Sequence, residues 1–215
     1  NADSFWGAMH YHGAAFCGDS FHIAMNELSN HDHSRFLTRT NKRVGRVNTM
    51  GPEAANEGVD KAVMREAVVM QMTWAGAPTI YYGDEAGVCR RTYPWGHEDH
   101  DLIEFHKVMI RIHKESTAFK YGSLKYLIGD YNLIGYVRFF EDDHYITLIN
   151  NNDYEVDREY SVWESGIPRE CEMERIVQTD SEGFTTDIVK CPVEGGKLHI
   201  VLPKKSAVVL RYRLV

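Results

Sequence analysis

Residues 59–85, VDKAVMREAVVMQMTWAGAPTIYYGDE, decide the fold. The first part predicts a helix over 59–74, because apolar residues recur there on one helical face: Val63, Ala67, Met70 and Trp74. Gly76 and Pro78 follow, where helix-ending residues belong. The β-branched and aromatic run Thr79–Tyr82 then predicts a short buried strand that leads into a polar loop.

The same alternation extends on both sides of this stretch. The apolar run Phe21–Leu28 ends at a polar cluster and predicts a strand followed by a loop. A second amphipathic helix is predicted from about Glu98 to Glu115, with its apolar face formed by Leu102, Phe105, Met109 and Ile112. Strand, helix, strand and helix in this order are typical of a parallel α/β unit.

The pattern changes near residue 117. Short alternating runs separated by turn residues follow, and they predict an antiparallel β-sandwich. The predicted fold class is therefore an α/β part over residues 1–117 followed by an all-β part over residues 118–215. The predicted strands are Ser123–Ile128, Leu133–Phe140, Tyr145–Asn150, Val156–Trp163, Glu172–Val177, Lys197–Leu202 and Ala207–Arg213.

Composition excludes several classes of protein. A chain of 215 residues with 43% hydrophobic residues is too apolar for a disordered protein. Its net charge of −7 argues against a nucleic-acid partner, and no apolar run is long enough to span a membrane. The start lacks the pattern of a signal peptide. Four scattered cysteines without a C-x-x-C pair fit reduced thiols and predict a cytoplasmic protein.

Three strings carry groups that could do chemistry. In Ser29–Arg35, a His beside an Asp could grip vicinal hydroxyls of a sugar, or the string could be a polar loop with Asp32 as a helix cap. In Gly76–Gly87, we expect the two carboxylates to fix the loop by hydrogen bonds. In Arg90–Gly96, arginines beside Tyr and Trp suit a polyhydroxyl ligand or simple surface packing.

Together, in this order, the three strings resemble motifs of glycoside hydrolase family 13, the alpha-amylase family, and most of all its neopullulanase, cyclomaltodextrinase and maltogenic amylase group. Ser29–Arg35 is similar to the N-H-D motif after barrel strand seven, and Gly76–Glu85 is similar to the strand-eight segment. Arg90–Gly96 is similar to the loop that follows. The resemblance implies the C-terminal part of a (β/α)8 barrel over residues 1–117 and a β-sandwich, domain C, over residues 118–215.

The resemblance also implies roles for individual residues. Asp32 corresponds to the family carboxylate that holds the sugar hydroxyls and stabilises the oxocarbenium-like transition state of retaining hydrolysis. Four further residues are expected to bind an α-glucan substrate or to support the loop that carries Asp32: His31, Arg35, Arg90 and Tyr93. No cofactor or metal site is expected, because the calcium ligands known in the family lie largely outside this segment. A homo-oligomer is possible.

The chain departs from the family in two ways. The motifs that carry the nucleophile and the acid/base precede the N-H-D motif in the family, and neither is present here. Cys89 runs directly into Arg90, where relatives commonly have a D-P-D stretch. Because a complete barrel needs about 250 residues, the expected protein is an inactive C-terminal portion of a larger hydrolase. The alternative is a non-catalytic sugar-binding or structural protein derived from the same fold.

Overall fold

The computed structural model describes residues 1–42, 51, 55–88 and 92–213. Its helices are α1 Ala2–Gly13, α2 Gly18–Ile23, α3 Phe36–Arg39, α4 Lys61–Thr73, α5 His100–Glu115 and α6 Thr117–Tyr121. Its first strands are β1 Met25–Glu27, β2 Ala77–Thr79, β3 Ser123–Asp130, β4 Leu133–Phe140, β5 Asp143–Asn150 and β6 Val156–Ser161. The remaining strands are β7 Cys171–Thr179, β8 Phe184–Thr185, β9 Val189–Glu194, β10 Lys197–Leu202 and β11 Ser206–Arg213.

Strands β1 and β2 pair in parallel, and α4 lies between them in the chain. The buried amide of Gln71 on α4 donates to the carbonyls of Asn26 (3.1 Å) and Thr79 (2.8 Å), so it ties the helix to both strands. Gly76 enters β2 with φ +127°, where a Cβ would lie 2.6 Å from the Ala24 carbonyl oxygen. This close approach admits only glycine. The parallel α/β unit predicted from the sequence is confirmed.

Both parallel strands are shorter than the sequence predicts. Gly18–Ile23 is helical, so only Met25–Glu27 of the predicted strand 21–28 is extended. The second strand is Ala77–Thr79 and not Thr79–Tyr82. The pairing explains the second error, because the register ends where β1 ends and the tyrosines beyond it pack against a neighbouring loop instead.

The β part is antiparallel throughout, as predicted. Its strands form one hydrogen-bonded sheet in the order β3-β4-β5-β11-β7-β9-β10-β6, with β8 paired to β7. The two separate sheets of the predicted sandwich are therefore not seen in the pairing. Strand β9 was not predicted, because Pro192 interrupts its pattern. The turn Gly195–Gly196, with both φ values positive, joins β9 to β10 and was a usable hairpin signal.

The central strands are buried on both faces, and each face serves a different core. Along β5, Tyr145 and Ile149 pack on the helices, whereas Ile146 and Leu148 point into a second core. This is the alternation that a strand imposes on successive side chains. The second core is enclosed where the two ends of the sheet approach each other: Arg158 Nη1 of β6 lies 3.1 Å from Asp130 Oδ2 of β3. The first core joins α4 and α5 to β5, β7 and β11, so it belongs to both parts of the chain.

One buried arginine of β4 holds two helix ends on the sheet. Arg138 is fully buried, and its guanidinium donates to the carbonyls of Thr73 (3.1 Å), Ala118 (2.8 Å), Phe119 (3.1 Å) and Gly122 (3.0 Å). The carbonyls at the end of a helix carry partial negative charge, so they stabilise a cation there. Burial lowers the pKa of Arg138 to about 10, which leaves it charged at neutral pH.

A buried carboxyl on α4 makes stability depend on pH. Burial raises the pKa of Glu66 from 4.5 to about 9, with Lys205 opposing and Asp60 adding to the shift. Because the folded-state pKa lies above the unfolded one, the free energy of unfolding should fall as pH rises from about 5 to about 9, by up to about 1.4 kcal/mol per pH unit. Glu66→Gln should flatten this slope in urea unfolding. The exposed Glu141→Gln should keep it, and equal slopes in the two variants would contradict the assignment.

Candidate functional site

The loop after β1 is held by its own polar side chains. The hydroxyl of buried Ser29 accepts from the backbone N–H of Phe36 (2.9 Å), which closes the loop at its base. The side-chain oxygen of Asn30 accepts from the backbone N–H groups of Asp32 (3.0 Å) and His33 (3.2 Å). This is the local side-chain-to-backbone bonding that Asn favours in turns. It fixes the backbone that carries the two residues between Asn30 and His33.

His31 and Asp32 stand at the tip of this loop. Their side chains are 82% and 69% exposed, and His31 Nε2 lies 3.4 Å from Asp32 Oδ1. Asn30 Nδ2 donates to Glu27 Oε1 (3.0 Å), so the loop is also anchored to the last residue of β1. An imidazole donor beside a carboxylate acceptor is the arrangement that suits two neighbouring hydroxyls. It lies beyond the carboxyl end of a parallel strand, where sites gather in α/β folds.

Arg35 does not share this exposure. Its side chain is 1% exposed, and Nη1 lies 3.2 Å from Asp84 Oδ1. The guanidinium carbon is 4.1 Å from the centre of the Tyr81 ring and 4.5 Å from that of Tyr82. Of the two roles expected for Arg35, the structure favours support of the loop. The guanidinium is enclosed between the loops that follow β1 and β2 and is not open to solvent.

The carboxylates of the second string act as the sequence analysis expected. Asp84 is buried against Arg35, and Glu85 Oε2 accepts from the backbone N–H of Gly83 (2.9 Å). Burial raises the pKa of Asp84, while Ser29 and the Arg35 charge act in the opposite direction. Gly83 has φ +84°, and a Cβ there would lie 2.9 Å from Val88. The turn therefore needs glycine at this position.

The third string is only partly described. Arg90 lies outside the described residues, so its predicted substrate contact remains a prediction. Tyr93 is half-buried, and its ring centre lies 4.6 Å from that of Trp95. Trp95 is 81% exposed. Desolvation, followed by the negative charges of Glu85 and Glu98, raises the pKa of Tyr93. Tyr93 therefore lies near the carboxylates of Glu85 and Glu98.

The sequence analysis missed the aromatic partners of Arg35. Tyr81 and Tyr82 were interpreted as part of a buried strand, and their contact with a residue 46 positions earlier has no local signal. Among the described residues, no group of three or more His, Cys, Asp or Glu is placed to hold a metal ion. Within the same residues, no helix has the length and apolar character needed to cross a bilayer.

Comparison with known proteins identifies the family. The model of the alpha-amylase catalytic domain matches residues 14–122, just over half of the chain. The chain belongs to the alpha-amylase family, so the family resemblance of its motifs is confirmed.

The chain is similar to curated enzymes that are much longer. It is 34% identical to the amylopullulanase of Thermoanaerobacter thermohydrosulfuricus over 151 residues, 62% of this chain and 10% of that protein. It is 33% identical to neopullulanase 2 of Thermoactinomyces vulgaris over 137 residues, 59% of this chain and 20% of that protein. It is 30% identical to a Bacillus sp. cyclomaltodextrinase over 141 residues, 60% of this chain and 22% of that protein. The matched segments therefore span between about a tenth and a quarter of these enzymes.

Solved structures show the fold. An Anoxybacillus alpha-amylase superposes with a TM-score of 0.74 at 17% identity, over 97% of this chain and 42% of that one. The Nostoc punctiforme debranching enzyme gives a TM-score of 0.73 at 19% identity, over 97% of this chain and 39% of that one. Nearly the whole chain thus has its counterpart in less than half of each enzyme.

Proposed function

We propose that the chain is the C-terminal portion of a retaining hydrolase that cleaves α-glucosidic bonds. The observation that carries the proposal is the exposed pair His31 and Asp32, presented beyond the carboxyl end of β1 on a loop whose backbone is hydrogen-bonded to Asn30 and Ser29. A preorganised acceptor and donor at this edge can bind sugar hydroxyls without first ordering the backbone. The family membership supports the same chemistry.

In the proposed mechanism, Asp32 stabilises the transition state. Cleavage passes through an oxocarbenium-like state, and bonds to the sugar hydroxyls that strengthen there lower the barrier by several kcal/mol. The Asp32 carboxylate accepts such bonds, and His31 donates to the adjacent oxygen. Retaining hydrolysis also needs a nucleophile and an acid/base about 5–5.5 Å apart. In this proposal, both come from the part of the parent protein that precedes residue 1.

The proposed architecture follows from the two parts of the fold. Residues 1–117 form the last quarter of a (β/α)8 barrel, with β1 and β2 as strands seven and eight. Residues 118–215 form domain C, whose single hydrogen-bonded sheet encloses the second core. The parallel pairing of β1 with β2 and the superposition on alpha-amylases support this assignment. Parallel strands with their sites at one end are the barrel arrangement.

The proposed substrates are α-glucans such as starch, pullulan or cyclodextrins. Enzymes named for pullulan and cyclomaltodextrin are among the similar proteins, and they motivate this choice. Tyr93 and Arg90 are proposed to contact the glucan from the loop after β2. Arg35 is proposed to act through Asp84, by holding that loop against the loop that carries Asp32.

The isolated chain should show no more than trace hydrolysis of starch, pullulan or cyclodextrin, because Asp32 cannot cleave a glycosidic bond without a nucleophile and an acid. Reducing-sugar release by the purified chain measures this directly. The parent protein, assayed alongside, should be active. Robust, Asp32-dependent hydrolysis by the isolated chain would contradict the proposal. An inactive parent that still binds maltooligosaccharides would favour the alternative, a non-catalytic sugar-binding protein.

A further inference from the structure

Glu27, the last residue of β1, is the only acidic residue in the apolar run Phe21–Leu28. The side chains on either side of it point towards α4: Asn26 Nδ2 donates to the carbonyl of Ala75 (3.2 Å), just beyond that helix, and Leu28 packs on its core. Glu27 therefore points to the opposite face of the strand. In the proposed barrel that face turns to the interior, which bulky apolar residues usually fill. A carboxylate there is costly unless a donor meets it.

Asn30 supplies this donor. Its amide has a donor end and an acceptor end, and its neighbours determine which way each end points. The backbone N–H groups of Asp32 (3.0 Å) and His33 (3.2 Å) can only donate, so Asn30 Oδ1 faces them. Asn30 Nδ2 then faces Glu27 Oε1 (3.0 Å), and a carboxylate accepts. A reversed amide would lose all three bonds, so Glu27 and the loop backbone together hold Asn30 in one orientation.

These bonds form a hydrogen-bond relay from Glu27 through Asn30 to Asp32. Glu27 is exposed, so its bond to Asn30 adds little to the stability of the fold. The N–H at the other end of the relay belongs to Asp32 itself, so the relay fixes the backbone that carries this carboxylate. A misplacement of about 1 Å in a catalytic group can cost about 10²-fold in rate. Glu27 is therefore placed to affect catalysis much more than folding.

We propose that Glu27 is a positioning residue that orients the Asp32 carboxylate through Asn30. In this role Glu27 does not touch the substrate: it holds the Asn30 amide, and the amide holds the backbone of Asp32. A carboxylate suits the task, because hydrogen bonds to ionised groups are stronger than those between neutral groups. The catalytic consequence rests on the proposed function, whereas the relay rests on the geometry of the loop.

Glu27→Met and Glu27→Gln in the parent hydrolase test the role of the acceptor oxygen. Met removes the acceptor, so kcat and kcat/KM should fall together by about tenfold, with KM little changed. Gln keeps an oxygen for Asn30 Nδ2 and should restore most of this loss. Glu194→Met is the matched control, because Glu194 is exposed and also ends a strand, β9. Equal losses in the Gln and Met variants, or in the control, would overturn the proposal.

A double variant tests whether Glu27 acts through Asp32. The effects of residues that act as one unit are not additive. Glu27→Met should therefore have almost no further effect on kcat once Asp32→Ala has removed the group that Glu27 positions. A second tenfold loss in the double variant would overturn the proposal.

Amide hydrogen exchange, measured by NMR on the chain itself, tests the relay without any need for activity. Glu27→Met should speed exchange several-fold at the N–H groups of Asp32 and His33, whereas Glu27→Gln and Glu194→Met should leave it unchanged. Unchanged exchange in Glu27→Met would overturn the relay. Faster exchange, combined with a parent whose kcat does not respond to Asp32→Asn, would instead refute the proposed function and with it the catalytic role of the relay.

Discussion

Asp32→Asn in the parent hydrolase is expected to lower kcat by about 10²–10³-fold or more while the chain stays folded. The carboxylate is 69% exposed and bonds only weakly to His31, so its loss costs the fold little. In the proposed mechanism its contribution arises in the transition state, where the sugar carries positive charge. The amide keeps the size of the carboxyl but removes its negative charge.

The kinetic pattern distinguishes this role from simple binding. Loss of an interaction made only in the transition state lowers kcat and kcat/KM together, whereas loss of uniform binding raises KM alone. Asp142→Asn, in the exposed turn between β4 and β5, is the matched control and should leave both constants unchanged. An unchanged kcat in Asp32→Asn would refute the assignment, as would an equal loss in the control.

Asp84→Asn is expected to destabilise the fold by about 3–5 kcal/mol, because it leaves the charge of Arg35 buried without a counter-charge. At low pH, Arg35→Met should lower the free energy of unfolding by less than Asp84→Asn does. An arginine cannot lose its proton, whereas a buried carboxyl can become neutral by taking one up. The pKa of Asp84 is already raised by burial, so its protonation without Arg35 is favoured. The cost of Arg35→Met should therefore grow as pH rises.

Urea unfolding at several pH values measures both variants. The control is the surface pair Arg158 and Asp130, whose side chains are 44% and 65% exposed. Arg158→Met should change stability by no more than about 1 kcal/mol. If Asp84→Asn proved as mild as Arg158→Met, the buried pair would not hold the two loops together. If the cost of Arg35→Met fell with rising pH, the charge assignment would be wrong.

Elements with strong local signals were predictable. The helix expected over 59–74 is observed as Lys61–Thr73, because its apolar period and its cap at Asp60 are both local. Strands Leu133–Phe140 and Lys197–Leu202 match their predicted bounds, since turn residues flank each of them, and Lys197–Leu202 also alternates between exposed and buried side chains. The pairing of His31 with Asp32 followed from their adjacency after a strand.

Features that depend on distant partners were not predictable. The burial of Arg35 requires a carboxylate and two tyrosine rings from a loop more than 40 positions later in the chain. The helix at Gly18–Ile23 occupies a run whose composition also suits a strand, and periodicity cannot separate the two over six residues.

The core shared by the two parts constrains how this family can exchange segments. Tyr145, Ile149 and Val209 of the sheet pack in one cluster with Met64 and Phe105 of the helices. A chimera that replaces only residues 118–215 with those of a relative would pair mismatched surfaces and should express poorly. A chimera that also takes α4 and α5 from the same relative would keep the contact intact. A segment exchange that keeps this core should therefore move the helix pair together with the sheet.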